Sequence, residues 1–149
     1  MTTIVYDHKN KLIACDSLIT KSSGVISSDV YEKFRYIGAE LFFIAGMLCD
    51  FDLFIEFKNG RTDTNKGIPE ISAFKFFCNS VYECNVNCQG YYEELKVEFN
   101  ASIGSGSSFA LAALDFGKSA AEAVEYAATK DCFTGGLVRV FDVKIGRFI

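Results

Sequence analysis

The spacing of apolar positions changes several times along the chain, and each change predicts an element. "TTIVY" (2–6) and "LIACDS" (12–17) are β-rich runs separated by polar "DHKNK" (7–11). That arrangement predicts a hairpin with a loop of about five residues. "GVISSDVYEKFRYIG" (24–38) mixes short strand-like pieces with turns, and "ELFFIAG" (40–46) is a continuous apolar run, as in a buried strand. Met47, Leu48, Phe51, Phe54 and Ile55 then recur at helical spacing, and Gly60 can close that helix. A strand therefore feeds a helix, with Gly46 at the junction.

"RTDTNKGIP" (61–69) is the clearest loop and holds the only proline, Pro69. "AFKFFCNSVYECN" (73–85) predicts a hairpin around Asn79-Ser80, and "YYEELKVEFNASIG" (91–104) continues the sheet. "SGSSFALAALDFG" (105–117) is small-residue rich and helical, with Gly117 as its C-cap. "SAAEAVEYAATKD" (119–131) is the best helix, because Ser119 and Glu122 have capping-box spacing. "TGGLVRVFDVKIG" (134–146) returns as strand. The order is strands, one helix, strands, two helices, strand. It predicts an α+β fold, with helices on the outer faces of antiparallel sheets. No repeat, low-complexity tract or long linker divides the chain, so residues 1–149 are expected to form one domain.

Composition fits that picture. The 149 residues are 50% hydrophobic and 15% aromatic, enough to build a core without disulfides or metals. The net charge is -4 with no run of Lys or Arg, so nothing suggests a nucleic-acid or anionic-membrane footprint. No segment approaches the roughly 18 apolar residues of a membrane span. The N-terminus lacks the pattern of a signal peptide. A cytoplasmic location is the expectation.

Six cysteines and one histidine limit the chemistry. Cys78, Cys84 and Cys88 form the only cluster, and their spacing matches no common zinc pattern, so structural thiols are expected rather than a metal. His8 lies in the turn "YDHKNK", where an exposed turn residue is the plainer reading. A histidine-based triad would have to be built on it, so a hydrolase here needs another base. "IGSGSSFA" (103–110) sits between a strand and a helix, as phosphate-binding turns do. It lacks the Lys-Ser/Thr ending and the third glycine of the nucleotide motifs. A tight turn between helix and sheet is the alternative.

Singly, Thr2 reads as a strand residue, Asp16 as a turn residue and Lys33 as a surface residue. In order, with "TTIV", "ACDS", "YEKFRYIG", "FIAGMLCD", "SIGSGSSFALAAL" and "SAAEAVEYAATKDCFTGG", they resemble the proteasome β-type subunits. The similarity is greatest to the HslV branch of the N-terminal nucleophile (Ntn) hydrolases and to its short phage and prophage versions. The resemblance implies a four-layer αββα sandwich of antiparallel sheets. One departure is visible. The family usually has two long helices after the strand ending at Gly46, and here one helix precedes the Pro69 loop. The expected sandwich thus has a reduced helical layer. That speaks against a stacked hexamer or heptamer and against an unfolding-ATPase partner, while a homo-oligomer stays the expectation.

The resemblance also implies the chemistry. Thr2, freed by removal of Met1, would be the nucleophile of a threonine-type peptidase or amidohydrolase acting on peptides or proteins. Its own α-amine would be the base. Lys33 would lower the amine pKa, and Asp16 would hold Lys33. The Gly46 N–H would face the oxyanion. Ser105, Asp131 and Thr134 match the polar set that orients the amine. Thr20, Ile44 and Leu48 fall where the family shapes its first specificity pocket, although Ile44 and Leu48 read equally well as core. No cofactor is expected, beyond a sodium ion that some relatives hold on backbone carbonyls near "KDCFTGG". A catalytically silent scaffold, used in phage assembly or in modulating a host protease, is the alternative; either would act in the host cytoplasm if phage-encoded.

Overall fold

A computed structural model describes all residues, Met1–Ile149. Its strands are β1 (Thr3–Asp7), β2 (Leu12–Cys15), β3 (Ile19–Thr20), β4 (Ile26–Ser28), β5 (Phe34–Ile37) and β6 (Glu40–Gly46) in the first part of the chain. Helix α1 (Phe51–Lys58) follows, then β7 (Ile71–Phe77), β8 (Ser80–Val86), β9 (Tyr92–Lys96) and β10 (Ala101–Gly104). Helices α2 (Ser107–Asp115) and α3 (Ala120–Ala128) precede β11 (Arg139–Asp142) and β12 (Arg147–Phe148).

Two five-stranded antiparallel sheets carry the fold. One has the order β10-β1-β2-β11-β12, the other β5-β6-β7-β8-β9, and β3 and β4 form a separate pair. Strand alternation sends one set of side chains inward. Ile4, Tyr6 and Ile13 of the first sheet meet Leu41, Phe43 and Phe74 of the second in the central core. The opposite faces take the helices. Val5 and Ala14 pack under α2 and α3, and Phe42, Ile44 and Ala73 pack under α1. The result is an αββα sandwich whose α1 side is a single eight-residue helix.

Local signals account for much of this. Ser119 and Glu122 form the complete capping box that starts α3. Helices α1 and α2 end in Schellman motifs. Gly60 N–H donates to Phe57 O and Arg61 N–H to Glu56 O; Gly117 N–H donates to Leu114 O and Lys118 N–H to Ala113 O.

Three details differ from the expectation. The helical stripe starting at Met47 begins as a 3-10 turn, Leu48–Asp50, and Met47 is exposed. The β7–β8 turn centres on Cys78-Asn79, one residue earlier than expected, with φ 49° and 57° at those two positions. Positive φ at both central residues is the signature of a type I′ turn, whose twist matches the flanking strands. Finally, "YYEELKVEFNASIG" does not continue one sheet: β9 pairs with β8, whereas β10 crosses to pair with β1.

Candidate active site

Hairpin register brings Thr2 and Asp16 to the same end of the first sheet. Ile4 pairs with Cys15 and Thr3 with Gly104, so Thr2, Asp16 and Ser105 fall just beyond three neighbouring strand ends. His8 lies at the other end of that hairpin, hydrogen-bonded near Tyr6 and Lys11.

Asp16 and Lys33 form an ion pair with both side chains fully buried. Lys33 Nζ donates to Asp16 Oδ1 at 2.9 Å and Oδ2 at 3.0 Å. Backbone N–H groups complete the carboxylate's shell: Thr3 donates to Oδ1 at 3.0 Å, and Gly135 and Leu18 donate to Oδ2 at 3.1 and 3.3 Å. A buried charge needs such compensation. The third bond of the Lys33 ammonium goes to the Met1 carbonyl oxygen at 2.9 Å. Burial pulls the Lys33 pKa down, against the pull of Asp16 in the other direction.

A second polar chain lies on the other side of the N-terminus. The Ser105 hydroxyl donates to Asp131 Oδ2 at 2.5 Å and lies 3.5 Å from the Thr2 carbonyl oxygen. The Thr134 hydroxyl donates to the same carboxylate oxygen at 2.6 Å. Its proton is thereby used, so in the 2.6 Å contact between Thr3 Oγ1 and Thr134 Oγ1 the donor is Thr3. Burial would raise the Asp131 pKa, but these hydroxyls and the Phe133 N–H bring it below the usual carboxylate value. The α-amine of Met1 is pushed down, first by burial and then by Lys33, while Asp16 and Asp131 pull it up.

Two glycines permit the close approach. At Gly104 (φ 98°) a Cβ would stand 1.8 Å from Thr2 O, and at Gly46 (φ 113°) it would stand 2.0 Å from Glu70 O. No other residue type fits either place without moving backbone.

Thr2 is 2% exposed, and its hydrogen bonds involve the backbone only, leaving the hydroxyl without a protein partner. It borders a cavity of about 500 Å³ between the two sheets, together with Gly46 and Ser105. The rest of the wall includes Glu70, Ser72, Glu83 and Asn85. The structure thus brings Thr2, Asp16, Lys33, Gly46, Ser105, Asp131 and Thr134 around one centre. It does not bring Thr20, Ile44 or Leu48 onto the cavity wall. Ile44 points to the α1 side of β6 and is buried there, Leu48 packs on that same cluster, and Thr20 sits in the separate β3–β4 pair. Ala45, facing the other way, lines the cavity instead. No three His, Cys, Asp or Glu side chains converge as a metal site, and no helix is long and apolar enough to cross a membrane.

The sequence reading missed Thr3, Glu70, Ser72, Glu83 and Asn85. A signal for the last three was available. On β7 the inward positions Phe74 and Phe76 are apolar, but Ser72 breaks the series. On β8 the inward Val81 is followed by Glu83 and Asn85. Polar residues at the inward positions of paired strands mark the place where the core gives way to a cavity.

No protein-family model and no curated protein matches the chain. Solved structures do. HslV from Trypanosoma brucei superposes with a TM-score of 0.71 at 21% identity, over 93% of this chain and 97% of that one. BPH from Thiobacillus denitrificans in complex with epoxomicin gives 0.67 at 18% identity, over 95% and 97%. BPH alone gives 0.66 at 19%, over 95% and 96%. At these identities the likeness establishes the fold: the chain has the HslV and proteasome type of Ntn-hydrolase sandwich.

Proposed function

We propose that the protein is a threonine-type peptidase in which Thr2, once Met1 is removed, is the nucleophile. The observation that carries this reading is the unpartnered Thr2 hydroxyl at the cavity, flanked by the buried Asp16–Lys33 pair and the Ser105–Asp131–Thr134 chain. A threonine hydroxyl needs a base, and no histidine is near. A freed Thr2 α-amine supplies one, with a pKa of about 7.7–8.0 before any shift. Lys33 lowers it further, and the Asp16 shell keeps Lys33 in place. The amine takes the hydroxyl proton, directly or through a water, while Oγ1 attacks the substrate carbonyl. The Gly46 N–H faces the developing oxyanion, a contact worth about 3–4 kcal/mol in comparable sites. The amine then gives its proton to the leaving amine, and water hydrolyses the acyl-threonine ester. With Met1 attached the nitrogen is an amide, and this cycle cannot run.

The test is intact-mass analysis with peptide hydrolysis. Wild type should lose Met1, cleave fluorogenic peptides and gain one adduct mass with epoxomicin, the compound bound by one structural neighbour. Thr2→Ala should do neither of the last two. Equal background hydrolysis by processed wild type and Thr2→Ala rejects the reading.

The single short helix after β6 favours a second reading. It is the feature expected of a phage- or prophage-type variant, and of a silent scaffold in phage assembly or a modulator of a host protease. Full retention of Met1 in purified protein would support that role. Either form would act in the cytoplasm as a homo-oligomer, and the apolar surface that Val25, Ile26 and Val30 expose on and beside the β3–β4 pair supports the oligomer.

A further inference from the structure

We propose that the Thr2 cavity selects peptides with a Lys or Arg side chain beside the scissile bond, and that Glu70 and Glu83 are the residues that select it. The inference rests on the peptidase reading and names its substrate class.

The cavity wall carries two carboxylates, Glu70 and Glu83, and no Lys, Arg or His. Neither carboxylate pairs with a cation anywhere in the chain, although nine ion pairs form elsewhere. The Lys33 ammonium is fully buried and spent on Asp16 and the Met1 carbonyl, so the chain's own α-amine is the one cationic group at the wall. The rest of the inward surface near Glu83 is small or polar. Ala45 pairs with Ser72, and Ser72 pairs with Asn85, in one row across β6, β7 and β8. The wall as a whole offers hydrogen-bond acceptors beside a comparable apolar share, which suits a side chain with an aliphatic stem and a cationic end better than a leucine or phenylalanine.

Glu70 is held against the reacting centre. Met47 N–H donates to its carbonyl oxygen at 2.9 Å, next to Gly46. Its own N–H donates to Asp50 Oδ2 at 3.0 Å, which adds a third negative charge behind the wall. The backbone of Glu70 is thereby fixed beside Gly46, on the wall that Gly46 and Thr2 share. The second sign that a ligand belongs here is Thr2, a residue only 2% exposed that borders the cavity and whose hydroxyl has no protein partner there. A low-dielectric wall with uncompensated charge of one sign concentrates ligands of the other sign.

Matched fluorogenic peptides differing only in the residue before the cleaved bond decide the matter. Arg and Lys peptides should exceed the Leu peptide in kcat/KM by about tenfold, the product of two partly exposed ion pairs. The advantage should shrink as salt is raised. It should vanish in the Glu70→Gln/Glu83→Gln double variant, and Glu83→Lys should turn preference toward a Glu peptide. Equal rates for Arg and Leu peptides, or a preference that survives in the double variant, overturn the proposal. Binding of the labelled Arg and Leu peptides to Thr2→Ala, read by fluorescence anisotropy, separates this from the peptidase reading. If wild type cleaves nothing but Thr2→Ala binds the Arg peptide more tightly, and the two Gln substitutions remove that difference, the pocket stands and the peptidase reading falls. Equal binding of both peptides removes the pocket whatever the enzyme does.

Discussion

Lys33 Nζ sits 2.9 Å from Asp16 Oδ1 and 2.9 Å from the carbonyl oxygen of Met1, with no solvent on either side chain of the pair. The residue that anchors the ammonium and the bond that must break to free Thr2 are thus joined through one nitrogen. This pair is both a structural element and the centre of the proposed chemistry, and the two roles give separable predictions.

Removing one partner leaves the other charged and buried. Asp16→Ala and Lys33→Ala are each expected to cost about 3–5 kcal/mol of stability, measured by urea denaturation. Lys33→Arg should not restore activity, because a planar guanidinium does not fit the three acceptors that a compact ammonium reaches.

The pH profile reports the base. A base must be unprotonated to act, so kcat/KM should rise with pH and level off above the amine pKa. The midpoint should fall below about 8, because the Lys33 ammonium disfavours protonation of a freed Thr2 amine. Asp131 reaches Thr2 through Ser105, and a carboxylate favours the protonated amine, so Asp131→Asn should move the midpoint further down. A midpoint above 8.0 in wild type would contradict the assignment.

Gly104→Ala places a methyl group 1.8 Å from the Thr2 carbonyl oxygen in a positive-φ conformation. A loss of about 2–4 kcal/mol is expected in thermal or chemical unfolding. Hydrolysis should fall even at temperatures where the variant is folded, because relief of the clash moves Thr2. Alanine at Gly24, where a Cβ meets nothing within 4 Å, is the control for the positive φ alone.

Asp131 gives an acid limb to stability. Its folded pKa lies below the ordinary 3.8, so the unfolded chain binds the proton more readily. The contribution is complete above 3.8 and is lost as pH falls through the lower, folded value. Denaturation midpoints taken from pH 6 down to pH 2.5 should decline less steeply in Asp131→Asn than in wild type.

How much of this was legible before the fold was known varies with range. The β1–β2 hairpin, the α3 capping box and the glycine-closed ends of α1 and α2 depend on neighbours in sequence, and the pattern of residues was enough to place them. The α+β class followed from the order of those elements. The β7–β8 turn was read one residue late because Asn79-Ser80 and Cys78-Asn79 are both acceptable by composition, and only the Phe77–Ser80 pairing selects between them.

The sequence by itself determined which residue types were available: a threonine pair after Met1, a lone histidine in a turn, and carboxylates and a lysine in a familiar order. Only the tertiary structure decided which of them meet. The Asp16–Lys33 pair spans 17 positions and the Ser105–Asp131 bond spans 26, and neither distance is encoded in local spacing. The same holds for the side on which a strand residue faces. Ile44 and Ala45 are adjacent and both apolar, yet a period of two sends one under α1 and the other to the cavity. Which of them meets a ligand depends on what covers each face of the sheet, and that is settled by packing between layers distant in sequence.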